Sequence, residues 1–291
     1  MNIASRRVVI ALAAAACSGV SLAHEFWLEA SAFRVRAGEM VGVRTLVGDG
    51  LVGESRPRDP TKLERFEIAG ADGVKPVVGR DGSDPAGLIR IATPGTYVLG
   101  YRSGNTPVVL AGPKFEVYLR EKGLDNPVEA RRAAGNTETD GRERFSRCAK
   151  AIIEVRDAGG AGVQTTSGFD HNFGFPFEII PSENPYSLHA GNEMTFVMFA
   201  DGKPIAGVLV TAANKCDPKS VLSARSGEDG RVKFKLEKPG MWLINSVRML
   251  PVKEPGVECD WQSLWASLTF DLAATPEESA KVGPSTISAE K

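Results

Sequence analysis

Thr93-Pro-Gly-Thr-Tyr-Val-Leu99 returns later in the chain as Lys238-Pro-Gly-Met-Trp-Leu-Ile244. In both stretches a Pro-Gly pair makes a turn, and an aromatic residue at alternating spacing opens a core strand. The echo widens on either side. Phe33-Arg-Val-Arg-Ala-Gly38 leads into a strand ending at Gly48-Asp-Gly50, and Tyr186-Ser-Leu-His-Ala-Gly191 leads into one ending at Ala200-Asp-Gly202. Ala37 and Pro94 are 57 positions apart, Ala190 and Pro239 are 49 apart, so order and spacing are both kept. Asp-Gly pairs at 49–50, 72–73, 81–82, 201–202 and 229–230 favour tight hairpins. Short alternating runs lie between them, among them 33–47, 63–68, 88–91, 97–101, 115–119, 177–180, 194–199, 208–211, 232–236 and 241–247. Many short strands with regular turns predict β-sandwich units.

One helix interrupts this texture. Asn126 offers a cap, Pro127 suits the first helical position, Glu129 falls at the capping-box position and Gly135 ends the run. The expected organisation is a signal peptide over 1–23, a first sandwich unit over 24–125, a helical and polar connection over 126–147, a second unit over 148–274, and a disordered tail over 275–291. The run 145–155 fits helix or strand equally.

The start of the chain has the form of an export signal. Arg6 and Arg7 precede the apolar run 8–16, and Ser21-Leu-Ala23 places small residues at a signal peptidase site. The run is shorter than the roughly 20 residues that span a bilayer. Ser5-Arg6-Arg7 is a weak twin-arginine match, and Cys17 lacks the aliphatic residue that usually precedes a lipidated cysteine. Cleavage after Ala23 removes two of the 35 basic residues and leaves 33 against 36 acidic, net −3. Nucleic acid is therefore not an expected partner. Of the cysteines, Cys148, Cys216 and Cys259 survive cleavage; the expected bridge, if one forms, is Cys216 with Cys259.

Cleavage gives His24 a free α-amine beside its imidazole. Amine nitrogen and Nδ1 can chelate one metal in a six-membered ring, a donor set that suits nickel, copper and zinc. Only His24, His171 and His189 occur in the chain, so a histidine at the cleavage point is informative. His171 and the adjacent Asp170 lie between the units, His189 matches Arg36 in the repeat, and Glu25 adjoins His24; these are the candidate further ligands. Met194 and Met198 share a strand face with Phe196 and read as core, as do Phe26, Trp27, Trp261 and Trp265. Gly48-Asp-Gly-Leu-Val-Gly53 fits G-x-G-x-x-G only literally, because no helix-forming run follows. No hydrolase, metalloprotease or P-loop motif occurs, so no enzymatic activity is expected.

His24-Glu-Phe-Trp-Leu-Glu29, Val47-Gly-Asp-Gly50, the 54–58 stretch, Glu178-Ile-Ile-Pro-Ser-Glu-Asn-Pro-Tyr186, Asp201-Gly-Lys-Pro204 and Trp265-Ala-Ser-Leu-Thr-Phe270 together resemble the DUF4198 family. That family is also labelled NikM-like, or nickel-uptake-associated. The second half also looks like carboxypeptidase regulatory-like and transthyretin-like sandwiches. The fold class expected is mainly β, with two immunoglobulin-like or transthyretin-like sandwich units in tandem and a short connecting helix. The resemblance implies a periplasmic protein that supports uptake or handover of nickel or cobalt, with copper as the chemical rival and an inner- or outer-membrane metal transporter as partner. Two other functions fit the residues: a non-catalytic module binding a protein or glycan, and a copper oxidoreductase using His24 in a histidine brace.

Overall fold

The computed structural model describes residues 24–160 and 168–277. The expected signal peptide lies outside these residues, and the expected tail is described only to residue 277. The architecture is mainly β and built as a repeat. The first unit runs β1 (Glu25–Ala30), β2 (Arg34–Arg36), β3 (Met40–Asp49), β4 (Val52–Arg56), β5 (Leu63–Gly70), β6 (Gly73–Pro76), β7 (Gly87–Arg90), β8 (Gly95–Ser103) and β9 (Thr106–Leu110). Two helices follow, α1 (Gly112–Glu121) and α2 (Asp125–Ala133), and then β10 (Gly141–Arg156). The second unit runs β11 (Phe177–Pro181), β12 (Glu193–Ala200), β13 (Lys203–Pro204), β14 (Leu209–Asn214), β15 (Asp217–Arg225), β16 (Arg231–Lys235), β17 (Gly240–Pro251) and β18 (Trp261–Leu272).

The pairings repeat from one unit to the other. β3 is flanked by β1, β4 and β7 as β12 is flanked by β11, β13 and β16. The series β6-β5-β8-β10 matches β15-β14-β17-β18. The matched turn glycines, Gly38 (φ +86°) and Gly191 (φ +88°), hold the left-handed backbone that a side chain would strain. Their turns are pinned alike: Ala37 N–H donates to Arg156 O and Ala190 N–H to Ala273 O, both 2.8 Å, while Gly38 N–H donates to Ile91 O and Gly191 N–H to Leu236 O. The aromatics that open the quoted strands each reach back to their own turn. Tyr97 Oη donates to Thr93 O at 3.0 Å, and Trp242 Nε1 donates to Lys238 O at 2.9 Å.

The units do not sit as separate beads. β10 and β18, each the last strand of its unit, pair in parallel from Glu143↔Trp261 to Ala151↔Thr269. This fuses the two larger sheets into one of ten strands, in the order β15-β14-β17-β18-β10-β8-β5-β6 with β2 and β9 also on β10. Because alternate side chains leave a strand on opposite faces, β10 serves two cores. Cys148 and Ile152 pack with Phe177, Ile179, Met194, Phe196 and Met198 under the second unit's small sheet. Ala149, Ala151, Ile153 and Val155 pack with Phe26, Leu28, Val41 and Val43 under the first unit's. The helices cover the rest of that second face, setting Phe115, Tyr118 and Leu119 against Val247, Met249, Trp261 and Trp265. Each fully buried large apolar side chain of this kind contributes about 1.5–3 kcal/mol.

Several expectations are corrected. β10 completes the first unit, so a division at 125 and 147 cuts through that unit, and the helices are an insertion ahead of its last strand. Residues 115–119, expected as strand, form α1, because Phe115, Tyr118 and Leu119 fall at three- and four-residue spacing on one buried face. The run 145–155 is strand. α2 begins at Asp125 without a side-chain cap, so Pro127 sits within its first turn, while Gly135 (φ +67°) ends it as expected. Cys148, Cys216 and Cys259 are all free thiols. Cys216 lies beside Gly240 at the start of β17, and Cys259 precedes Trp261, the partner of Pro251 at its other end. Roughly 35 Å of strand separates them. Burial pushes the Cys148 thiol up to about 12, which leaves it inert.

A buried ion pair fastens the units where they meet. Lys150 on β10 and Glu178 on β11 are each 1 % exposed, with Nζ 3.1 Å from Oε2. Lys150 Nζ also donates to His171 O at 2.8 Å, and Glu178 accepts from the backbone N–H groups of Phe173 and Phe175. Such satisfaction is what lets a charged pair stay buried.

Candidate site at the N-terminal corner

β1 pairs antiparallel with β3 in the register Glu25↔Gly48, which carries His24 to the Asp49-Gly50 turn. The stretches 24–29 and 47–50, two of those on which the family resemblance rests, therefore meet in space. His24 Nε2 stands 3.1 Å from Asp49 Oδ2. A carboxylate only accepts, so Nε2 is the ring nitrogen that donates to Asp49, and in the neutral imidazole Nδ1 is then the one with the lone pair. Nδ1 is the nitrogen that closes a six-membered chelate with an α-amine on the same residue.

Glu25 points the other way. It is buried, Oε2 accepts from Gly50 N–H at 3.0 Å, and Asn245 Nδ2 lies 3.4 Å from Oε1. Burial raises the pKa of its carboxyl, opposed first by the Lys122 ammonium at the end of α1 and then by the Gly50 hydrogen bond. Its place is to brace the turn that carries Asp49, and as a direct ligand it faces inward. The glycines of the G-x-G-x-x-G match belong to the same hairpin. A Cβ on Gly48 would lie 2.0 Å from Val52 O, and one on Gly53 would lie 2.6 Å from the Trp27 ring, so these glycines let two strands and an indole approach closely.

The other histidines lie elsewhere. His171 sits on the second unit's side of the ten-stranded sheet, edge-on to Phe173 at 4.6 Å, with its carbonyl held by Lys150. Burial, followed by the Lys150 charge, lowers its pKa. Asp170 beside it is exposed. His189 forms a parallel bridge with Ala273, and its Nδ1 lies 2.9 Å from Ala190 O. Glu25 meets Asn245, which pairs with Ser267. Ser267 and Ala273 are six residues apart, about 20 Å of strand. The expectation that His171 or His189 joins His24 is thus not met: one is across the sheet and the other is at the far end of β18. A histidine brace needs a second imidazole at His24, and neither reaches it. Among the described residues no group of three or more His, Cys, Asp or Glu side chains converges on a metal-sized site.

Asp49 is the residue sequence reasoning undervalued as chemistry, since it reads as half of a turn dipeptide. The signal that could have found it is the register: a strand ending at Asp49 beside a strand starting at Glu25 puts His24 opposite it. Asn245 and Lys122 carried no such signal, because they reach the corner only through the ten-stranded sheet and the helix insertion.

Fold and corner define a class: a tandem β-sandwich fused through a shared sheet, with its first histidine oriented by a turn carboxylate. A family model described as "Domain of unknown function (DUF4198)" matches residues 21–249, and the chain belongs to that family. No curated protein matches. Among solved structures, the D0-D1 domain of intimin is 12 % identical, with 84 % of this chain and 96 % of that chain covered and a TM-score of 0.20. A tetra-tandem repeat from the extending region of a large adhesion protein is 10 % identical, covering 87 % and 50 %, with a TM-score of 0.22. Trypsin-activated alpha-2-macroglobulin from Escherichia coli is 12 % identical, covering 86 % and 15 %, with a TM-score of 0.20. Overlaps this low carry no argument about this chain. Among the described residues no helix is long and apolar enough to cross a membrane.

Proposed function

We propose that this protein is an exported, non-catalytic module that captures or hands over a divalent transition metal, nickel or cobalt by the family resemblance, with copper the rival by affinity order. The observation that carries the reading is the 3.1 Å contact between His24 Nε2 and Asp49. A carboxylate on the far ring nitrogen fixes the tautomer and ring orientation of a metal-binding histidine and raises its basicity. The donor set fits: once the chain starts at His24, amine and Nδ1 offer two nitrogens, and further positions stay open to cargo-borne ligands or a partner transporter in the periplasm. His171, His189 and Asp170 take no part, and Glu25 serves by bracing the turn.

The test is calorimetric titration of nickel, cobalt, copper and zinc into protein whose first residue is His24, beside protein with one extra residue before it and the His24→Ala variant. One metal should bind the authentic form at least tenfold more tightly than either of the others. Equal binding to all three forms, or none to the authentic one, overturns the reading.

A further inference from the structure

Arg147 is the one arginine in the first sandwich whose guanidinium has rings on its flanks and, among the described residues, no acceptor. Its carbon lies 4.8 Å from the Phe145 ring centroid and 5.1 Å from that of Phe26. The contrast is with Arg131, whose buried guanidinium donates from Nε to Glu116 Oε1 at 2.8 Å and from Nη2 to the carbonyls of Asn136 and Thr139 at 2.7 Å. At Arg147, which is half-buried, the rings take up the apolar surface and leave the N–H donors facing solvent, with no acceptor among the described residues. Burial pulls its pKa down to about 10, the Tyr101 hydroxyl opposes that, and Arg56 adds to it. Arg56 is itself held by Glu54 at 3.3 Å, so the uncompensated charge belongs to Arg147.

The place is the end of the first sandwich. The backbone N–H of Arg147 is anchored by Ser103 Oγ at 2.9 Å beside the β8–β9 turn. The Phe26 ring, which also meets Tyr101 at 5.0 Å, comes from the facing sheet. A guanidinium with covered flanks and free N–H groups matches the planar, two-oxygen geometry of a carboxylate. A single positive charge matches one negative charge, and the two buried rings that flank the guanidinium hold it in one orientation.

We infer that Arg147, held between Phe26 and Phe145, forms a binding site for a small organic carboxylate. The site stands apart from the metal reading, because none of its groups contacts His24 or Asp49.

The experiment uses the metal-free mature protein, titrated by calorimetry with benzoate, acetate and inorganic phosphate at constant ionic strength. Saturable binding of a carboxylate, weaker by tenfold or more in Arg147→Lys and unchanged in His24→Ala, is the expected result. Lysine keeps charge and stem, so a folded variant is expected, checked by circular dichroism. The Nε–H resonance of Arg147 in the wild-type protein gives a second readout that needs no variant, and it should shift and saturate with the carboxylate. Heat and resonance both unmoved, binding indifferent to Arg147→Lys, or a preference for phosphate would each overturn the assignment.

Discussion

The two units place the same hairpin turn at the same corner and put different chemistry on it. In the first, Asp49 faces His24 at 3.1 Å. In the second, the register Phe177↔Ala200 puts Pro176 where His24 stands, its carbonyl accepts from Asp201 N–H at 3.1 Å, and the Asp201 carboxylate faces Arg248 at 3.8 Å. The last strands differ in the same direction. The bridges of Arg36 with Arg156 and of His189 with Ala273 align Arg147 with Leu264, so a stacked cation in one unit is a core side chain in the other. A repeat keeps its backbone by conserving pairings and turns; chemistry then enters at positions where one copy carries a side chain the other does not need. Here that copy is the first.

The largest effect expected from breaking this arrangement lies at the seam. Lys150→Met or Glu178→Gln alone leaves one buried charge without its partner, at a cost of about 3–5 kcal/mol, read from urea unfolding. The shared sheet and the pair together predict one transition for both units, so a separate early transition of either unit in the wild-type protein would contradict the fusion.

Next is a carboxyl in the face covered by the helices. Glu143 is buried, accepts from the Ser263 hydroxyl, and has the Tyr118 hydroxyl 3.4 Å away. Burial pushes its pKa to about 7, partly opposed by those two hydrogen bonds. An acid whose pKa is higher folded than unfolded holds its proton more tightly in the folded state. Its stabilising contribution is complete below about pH 4.5 and is lost as pH rises through about 7, by up to about 3 kcal/mol. Unfolding midpoints measured from pH 4 to 8 should fall across that window, and Glu143→Gln should flatten the fall.

The corners themselves give the direct comparison. Asp49→Asn should weaken metal binding by about 10- to 100-fold, the usual cost of losing the carboxylate behind a ligating histidine. Asp201→Asn should leave the affinity unchanged. Equal losses would show that neither carboxylate acts through His24.

The smallest effect tests what the units share. Tyr97→Phe removes the hydrogen bond to Thr93 O and should cost about 1 kcal/mol. Trp242→Phe removes the equivalent bond to Lys238 O together with ring area, and should cost somewhat more in the same unfolding assay.

The sequence by itself determined the repeat. Pro-Gly-aromatic openings, Asp-Gly hairpins and alternating runs are local signals, each set by backbone sterics within a few residues, and they yielded the mainly β class and most strands. It also singled out His24 and gave the core placement of Met194, Met198 and the tryptophans. Only the tertiary structure decided where the first unit ends, because β10 joins it by pairing with strands far away in sequence, across an insertion of two helices. For the same reason it decided which histidines meet. His171 and His189 are chemically as eligible as His24, but which face of a shared sheet a residue occupies follows from strand order. Asp49 and Arg147 gained their character that way too: one from lying opposite the first strand, the other from rings on two different sheets closing on its guanidinium, with no acceptor for its N–H groups among the described residues.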